Sequence, residues 1–245
     1  MSDADLVLPS TGPDPLPYGT ALAAVLGYAR GRRPLRFRSP SHPQGRWVAV
    51  PAFGYERFDR LPIPDKPLGE PDILIAEGLH GRLDPDAWAA LKVALHEAGP
   101  RADTAVERAA GRPFWELDDD AFSVLGEPGT VGAVLREIGA SRYVAAALHH
   151  RRPSLFPLLT ETTRRWLLPH VQEGDSGVEA VVHRELRANG AAFSTLVGEA
   201  ARLLEDDGPP LTRLRLHDVL LWLSSTLRLT HAVELGRATE EWHGR

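Results

Sequence analysis

Apolar residues recur at helical spacing along most of this chain, and nearly every such stretch is fenced by Gly or Pro. Residues 18–30 place Ala21, Leu22, Val25, Leu26 and Ala29 three and four apart, the stripe of an amphipathic helix. Asp84-Pro85-Asp86 supplies an N-cap, a proline at the first helical position and an early acid, so a helix runs from there to about Ala98. Further helices are predicted over residues 72–79, 102–111, 130–138, 139–150 and 158–168. The pair 178–188 and 191–204 is broken at Asn189-Gly190, and 211–229 and 230–242 close the chain. The run 211–229 is the most apolar and belongs at the centre of the core. Only residues 46–50 and 53–58 alternate like strands, which predicts a small β-hairpin, or two extended pieces, near residues 46–58. The expected class is all-α, with about nine to eleven helices.

The chain has no cysteine, so no disulfide staples the fold and no thiolate chemistry is available. A chain of 245 residues can bury a core without staples. Residues 1–17 are acidic and carry Pro9, Pro13, Pro15 and Pro17, which predicts a flexible tail ahead of a single helical domain over residues 18–245. The N-terminus lacks a basic start and an apolar run, and no stretch nears the roughly 18 apolar residues of a membrane span. A cytoplasmic protein with no membrane partner is expected.

The net charge of −5 is not that of a typical nucleic-acid binder, yet charge is unevenly spread. Residues 139–172 hold five arginines, Arg142, Arg151, Arg152, Arg164 and Arg165, against one acid, Glu161. Such a patch attracts phosphate through counterion release. The blander readings are a solvated helix face, an intramolecular partner for Asp118 to Asp120, and arginine-rich coding bias, since Lys66 and Lys92 are the only lysines. Just before the patch, Gly139-Ala140-Ser141 joins two helices. A glycine there permits the positive φ of a tight turn, and the following helix N-terminus can hold a phosphate; the plain alternative is a connection between packed helices. Glu161 is the natural candidate for a general base, or simply the ion-pair partner of Arg165 four residues on. His217 and Asp218 are adjacent, so they leave a helix on different faces and do not form a metal site. No metal or cofactor is expected.

Two of these stretches resemble a bacterial family catalogued as domain of unknown function 6308. Residues 138–165 (IGASRYVAAALHHRRPSLFPLLTETTRR) share its turn, apolar helix and basic stretch, with Arg151-Arg152-Pro153 and Pro157 matching the layout. Residues 211–225 (LTRLRLHDVLLWLSS) resemble its C-terminal helix through Leu214, Leu216, Asp218, Leu221 and Trp222. The same layout is similar to the helix-hairpin-helix DNA glycosylases, whose hairpin binds DNA backbone and whose aspartate, just after the hairpin helix, serves base excision. Here Ser141 replaces the second glycine of the hairpin, Thr160 falls near the aspartate position with Glu161 next to it, and the hairpin helix has no lysine. The resemblance implies a glycosylase-like helical architecture that has kept its grip on double-stranded DNA without the reaction. Gly139, Ser141 and Arg142 would hold a phosphate; Arg151, Arg152, Arg164 and Arg165 would supply charge. Two alternatives stand beside this non-catalytic binder. One is a helical accessory protein that binds another protein. The other is a small-ligand enzyme using Glu161 with Tyr143, His149 or His150.

Overall fold

A computed structural model describes residues 5–123, 126–139, 141–205 and 208–242. In chain order the elements are α1 (Tyr18–Arg30), β1 (Arg32–Ser39), β2 (His42–Pro51), α2 (Glu70–His80), α3 (Pro85–Ala109), α4 (Asp119–Phe122) and α5 (Val131–Glu137). They continue with α6 (Arg142–Arg151), α7 (Glu161–Leu167), α8 (Val178–Ala188), α9 (Gly190–Leu203), α10 (Arg213–Ser225) and α11 (Leu229–Trp242). The protein is mostly helical, with one small antiparallel sheet, β1–β2.

α10 runs through the middle. Leu214, Leu216, Leu220 and Leu223 are fully buried, and the helix packs on α1, α7, α8, α9 and α11. The tightest helix crossing is α1 on α11. A Cβ on Gly27 would stand 1.8 Å from the Ala232 carbonyl oxygen, and one on Gly236 1.8 Å from that of Ala23. Only glycine lets the two backbones touch there, which is why two short helices can seal one side of the core.

Where sequence and structure differ, the reasons are local. The helices expected at 85–98 and 102–111 are one continuous α3. Pro100 sits inside it, at a typical cost of about 3 kcal/mol. Leu91, Leu95, Ala98, Ala102, Ala105 and Ala109 form one buried stripe across the break, and their burial offsets that cost. The aspartate-rich stretch that follows, given no element from sequence, holds a 3-10 turn, Phe114–Glu116, and the four-residue α4. The sheet lies at 32–51 instead of 46–58. Arg32–Ser39 supplies the partner strand, in a register that sets Arg36 opposite Trp47, while Phe53, Tyr55 and Phe58 turn into the core.

Residues 5–17 are not a loose tail. Leu6 and Leu16 pair as an antiparallel bridge, and Leu6, Leu8 and Leu16 are buried. Asn189, at the α8–α9 junction, takes the Val7 N–H on Oδ1 at 2.7 Å and donates Nδ2 to the Val7 carbonyl at 2.8 Å, as a neighbouring strand would. Glu185 accepts from both the Ser10 amide and its hydroxyl. Proline excludes helix here but suits extended chain, and the side-chain amide of Asn189 supplies the pairing a sheet would otherwise give. Among the described residues no helix is long and apolar enough to cross a membrane.

Candidate functional site: a cation-rimmed cavity

The site is built on charges buried in the core. Arg215 stands in the apolar run of α10 with a side chain only 5% exposed. Such a charge costs several kcal/mol unless paired and hydrogen-bonded. Here Asp59 takes Nε at 2.6 Å, the Tyr28 hydroxyl takes Nη2 at 2.7 Å, and the Tyr28 hydroxyl in turn donates to Asp59 Oδ2 at 2.6 Å. Phe58 and Tyr28 cover the guanidinium at 5.2 and 5.6 Å from their ring centres. Burial opposes the arginine's charge most strongly, but Asp59, Tyr28 and Asp218 together outweigh it and the Arg215 pKa is raised. Burial likewise raises the Tyr28 hydroxyl well above its usual range despite the arginine beside it.

One turn on, Asp218 takes the Leu158 amide on Oδ2 at 2.8 Å, and the same oxygen lies 3.5 Å from His149 Nδ1. Its Oδ1 has no hydrogen-bond partner among the described residues. Burial pushes Asp218 up to about 6, against the pull of His217, the Leu158 amide and Arg215. His149 is fully enclosed, with Nδ1 at 2.7 Å from the Phe156 carbonyl. Burial, helped by the Arg215 charge, lowers it to about 3, so it is neutral.

Above this floor opens a cavity of about 580 Å³. Tyr28, Phe53 and Trp222 form aromatic wall, and Ser141, Arg142 and Tyr143 bring in the N-terminus of α6. Thr160 and Glu161 line it as well, where Thr160 caps α7 by accepting from the Thr163 amide. Arg57, Arg142 and Arg228 also line it, and all three are exposed. Arg142 lies 5.2 Å over the Tyr143 ring and Arg228 5.3 Å over Trp222, so aromatic faces hold two of the cations at the rim. His80 completes the wall with an unpartnered Nε2; burial, then the Arg142 charge, lowers it to about 4. The cavity therefore offers cations at the mouth, flat rings on the sides and a neutral imidazole. It suits an anionic ligand with a planar part.

The residues singled out from sequence separate into groups. Ser141, Arg142 and Glu161 meet in the cavity wall. Gly139 makes the turn beside it at φ 55°, but its amide is used on the Arg136 carbonyl and that of Ser141 on the Ile138 carbonyl; Ala140 lies outside the described residues. Ser141 makes no side-chain cap, so among the described residues no side chain caps the first amides of α6 beside the cavity. Arg151 is elsewhere. It is bidentate to the buried Asp72 at 2.6 and 2.8 Å and also donates to the Pro64 and Pro67 carbonyls, tying α6 to the 61–69 connection and α2. Arg152 is exposed and donates to the Arg151 carbonyl. Arg164 donates to the Leu135 carbonyl at 2.9 Å, holding α7 on α5. Arg165 pairs with Glu161 on the surface. Tyr143 reaches the cavity, but His149 and His150 do not; His150 Nε2 lies against the Leu61 carbonyl. Sequence patterns did not mark Arg57, Arg228 or Tyr28. A charged pair inside the apolar helix 211–229, Arg215 and Asp218, was the one signal that pointed at the floor.

The shared sequence pattern of a family of unknown function, DUF6308, matches residues 44–225, which includes most of the cavity wall. No curated protein and no solved structure matches the chain.

Proposed function

This chain belongs to the DUF6308 family, and we propose that it binds nucleic acid at this cavity, as a binder without catalysis. The observation that carries the reading is the rim. Arg57, Arg142 and Arg228 stand exposed around an opening walled by Tyr28, Phe53 and Trp222, in a chain whose net charge is −5. Arginine forks match phosphate oxygens, and aromatic faces accept a base by stacking. The first amides of α6 add the N-terminal dipole of a ten-residue helix beside the mouth. This is the use a helix-hairpin-helix makes of its turn, with Ser141 and Arg142 taking the part of the second glycine and its neighbour.

The two carboxyl groups of the cavity lining are already engaged: Glu161 pairs with Arg165, and Asp218 takes the Leu158 amide on Oδ2. An acidic protein surface would satisfy the rim charges equally, but it would leave the aromatic pocket without a use.

The test is fluorescence anisotropy with a labelled DNA duplex across a salt series. Arg57→Glu/Arg142→Glu/Arg228→Glu is expected to weaken binding at least ten-fold and to flatten the salt dependence, by about 0.9 in log–log slope for each phosphate no longer neutralised. Affinity and slope equal to the parent protein would sink the proposal. Arg151→Glu is not a substitute, because it breaks the pair with Asp72 and so tests folding.

A further inference from the structure

The β1–β2 ribbon is built unlike the rest of the molecule. Residues 31–55 contain five arginines and no carboxylate, within a chain that is acidic overall. Residues 32–38 are all exposed, and so are Arg46 and Trp47 on the facing strand. Val48 and Val50 of β2 are half-buried, but among the described residues neither face of the ribbon joins the core, and a lone two-stranded hairpin is marginal in water.

The register decides what each face offers. Arg36 sits opposite Trp47, and Phe37 opposite Arg46. Arg36 and Arg38 both flank Gly45, so they share the Trp47 face. The other face carries Arg33, Leu35 and Phe37 opposite Val50, Val48 and Arg46. Each face therefore pairs cation with exposed ring: Trp47 is 69% and Phe37 49% exposed. A lipid-seeking ribbon would keep charge off its apolar face; here Arg33 and Arg46 share the face of Leu35, Phe37, Val48 and Val50, and Trp47 stands among Arg36 and Arg38.

We infer that the ribbon is a second nucleic-acid contact, an arm that lies against a duplex and engages its phosphates with Arg33, Arg36, Arg38 and Arg46. A two-stranded ribbon fits the major groove, and eight residues of strand reach about 25 Å, enough to cross it. The arm is rooted at the cavity. The Ala52 amide donates to the Gly31 carbonyl, Arg32 pairs with Glu56, and β2 leads directly into Phe53 and Gly54 of the cavity wall. The fifth arginine is thus spent on the root, and among the described residues no carboxylate pairs with the other four. The inference rests on the nucleic-acid reading of the cavity and extends its footprint.

The experiment compares the full chain with Arg33→Ala/Arg36→Ala/Arg38→Ala/Arg46→Ala and with the matching four-fold Lys variant, on a labelled 20-base-pair duplex. The alanine variant is expected to bind at least ten-fold more weakly near 0.1 M salt, with a salt slope lower by about three to four. Its melting temperature should stay put, because the ribbon is outside the core. The lysine variant should keep the slope. Unchanged affinity and slope in the alanine variant, with the rim variant still impaired, would overturn the arm and leave the cavity reading intact. A loss seen only on phosphatidylserine vesicles, with duplex binding unaltered, would overturn it in favour of a lipid surface. Failure of the parent protein to bind any duplex would remove both readings.

Discussion

Two populations of arginine share this molecule and do opposite things. Arg215, Arg151 and Arg184 each meet a carboxylate at 2.6 Å, Asp59, Asp72 and Asp175. Arg57, Arg142 and Arg228 at the cavity rim, and Arg33, Arg36, Arg38 and Arg46 on the ribbon, stand exposed, two of them laid over rings. The first set is fold. A guanidinium fork and a carboxylate, desolvated together, fix how distant segments meet: Arg215 joins α10 to the segment after β2, 156 residues away in sequence. The second set is surface that no carboxylate among the described residues pairs with, and its natural complement is an anion. Arginine content by itself says nothing about which role a residue takes; the presence of a carboxylate across the fold does.

The contrast can be broken most sharply at a buried pair. Asp59→Ala leaves Arg215 charged and enclosed, and should cost about 3–5 kcal/mol in chemical denaturation. A loss below about 1 kcal/mol would mean the pair does not organise the core. Reversing the three rim arginines should do the reverse: a change within about 0.5 kcal/mol in stability, with the loss falling on duplex binding. Equal destabilisation by both variants would erase the distinction between the two populations.

A finer test is pH. Asp218 is raised in the folded state to about 6, above its unfolded value, so the folded protein holds its proton more tightly. Its contribution to stability is therefore present at low pH and falls as pH rises from about 4 to 6. His149, lowered to about 3, and His80, lowered to about 4, do the opposite: the folded state disfavours their protons, and stability rises with pH toward the unfolded histidine value. The slopes partly cancel in the parent protein. Asp218→Asn should uncover the histidine slope, so the variant gains stability relative to the parent between pH 4 and 6. Parallel denaturation curves across that window would show that Asp218 is not held as described. The smallest expected effect is on the ribbon: Trp47→Ala should lower duplex affinity about two- to ten-fold, since the indole no longer stacks or fills the groove, and leave the fold untouched.

Much of the fold was legible because helices announce themselves locally. The α1 stripe, the Asp84-Pro85 start of α3, the Thr130 cap of α5 and the apolar α10 are all set by residues within a few positions of one another. What escaped was set at long range. The N-terminal segment is ordered by Asn189 and Glu185, more than 170 residues away, and β1 has no alternating apolar pattern because both its faces are solvated. The site was half legible for the same reason. Ser141, Thr160 and Glu161, each picked out by a local pattern, line the same cavity. Arg151, conspicuous in an Arg-Arg-Pro run, was captured by Asp72 from α2, and no local pattern marks that partner. Arg57 and Arg228 joined the rim from segments with no motif at all.

The salt dependence of duplex binding tests the central claim most directly. With the three rim and four ribbon arginines meeting phosphates, the logarithm of the affinity of the full chain should fall against the logarithm of salt with a slope of about −6. That slope should shrink stepwise in the rim and ribbon variants and stay unchanged in Arg152→Ala. A slope near zero, or no measurable binding at low salt, would contradict the account.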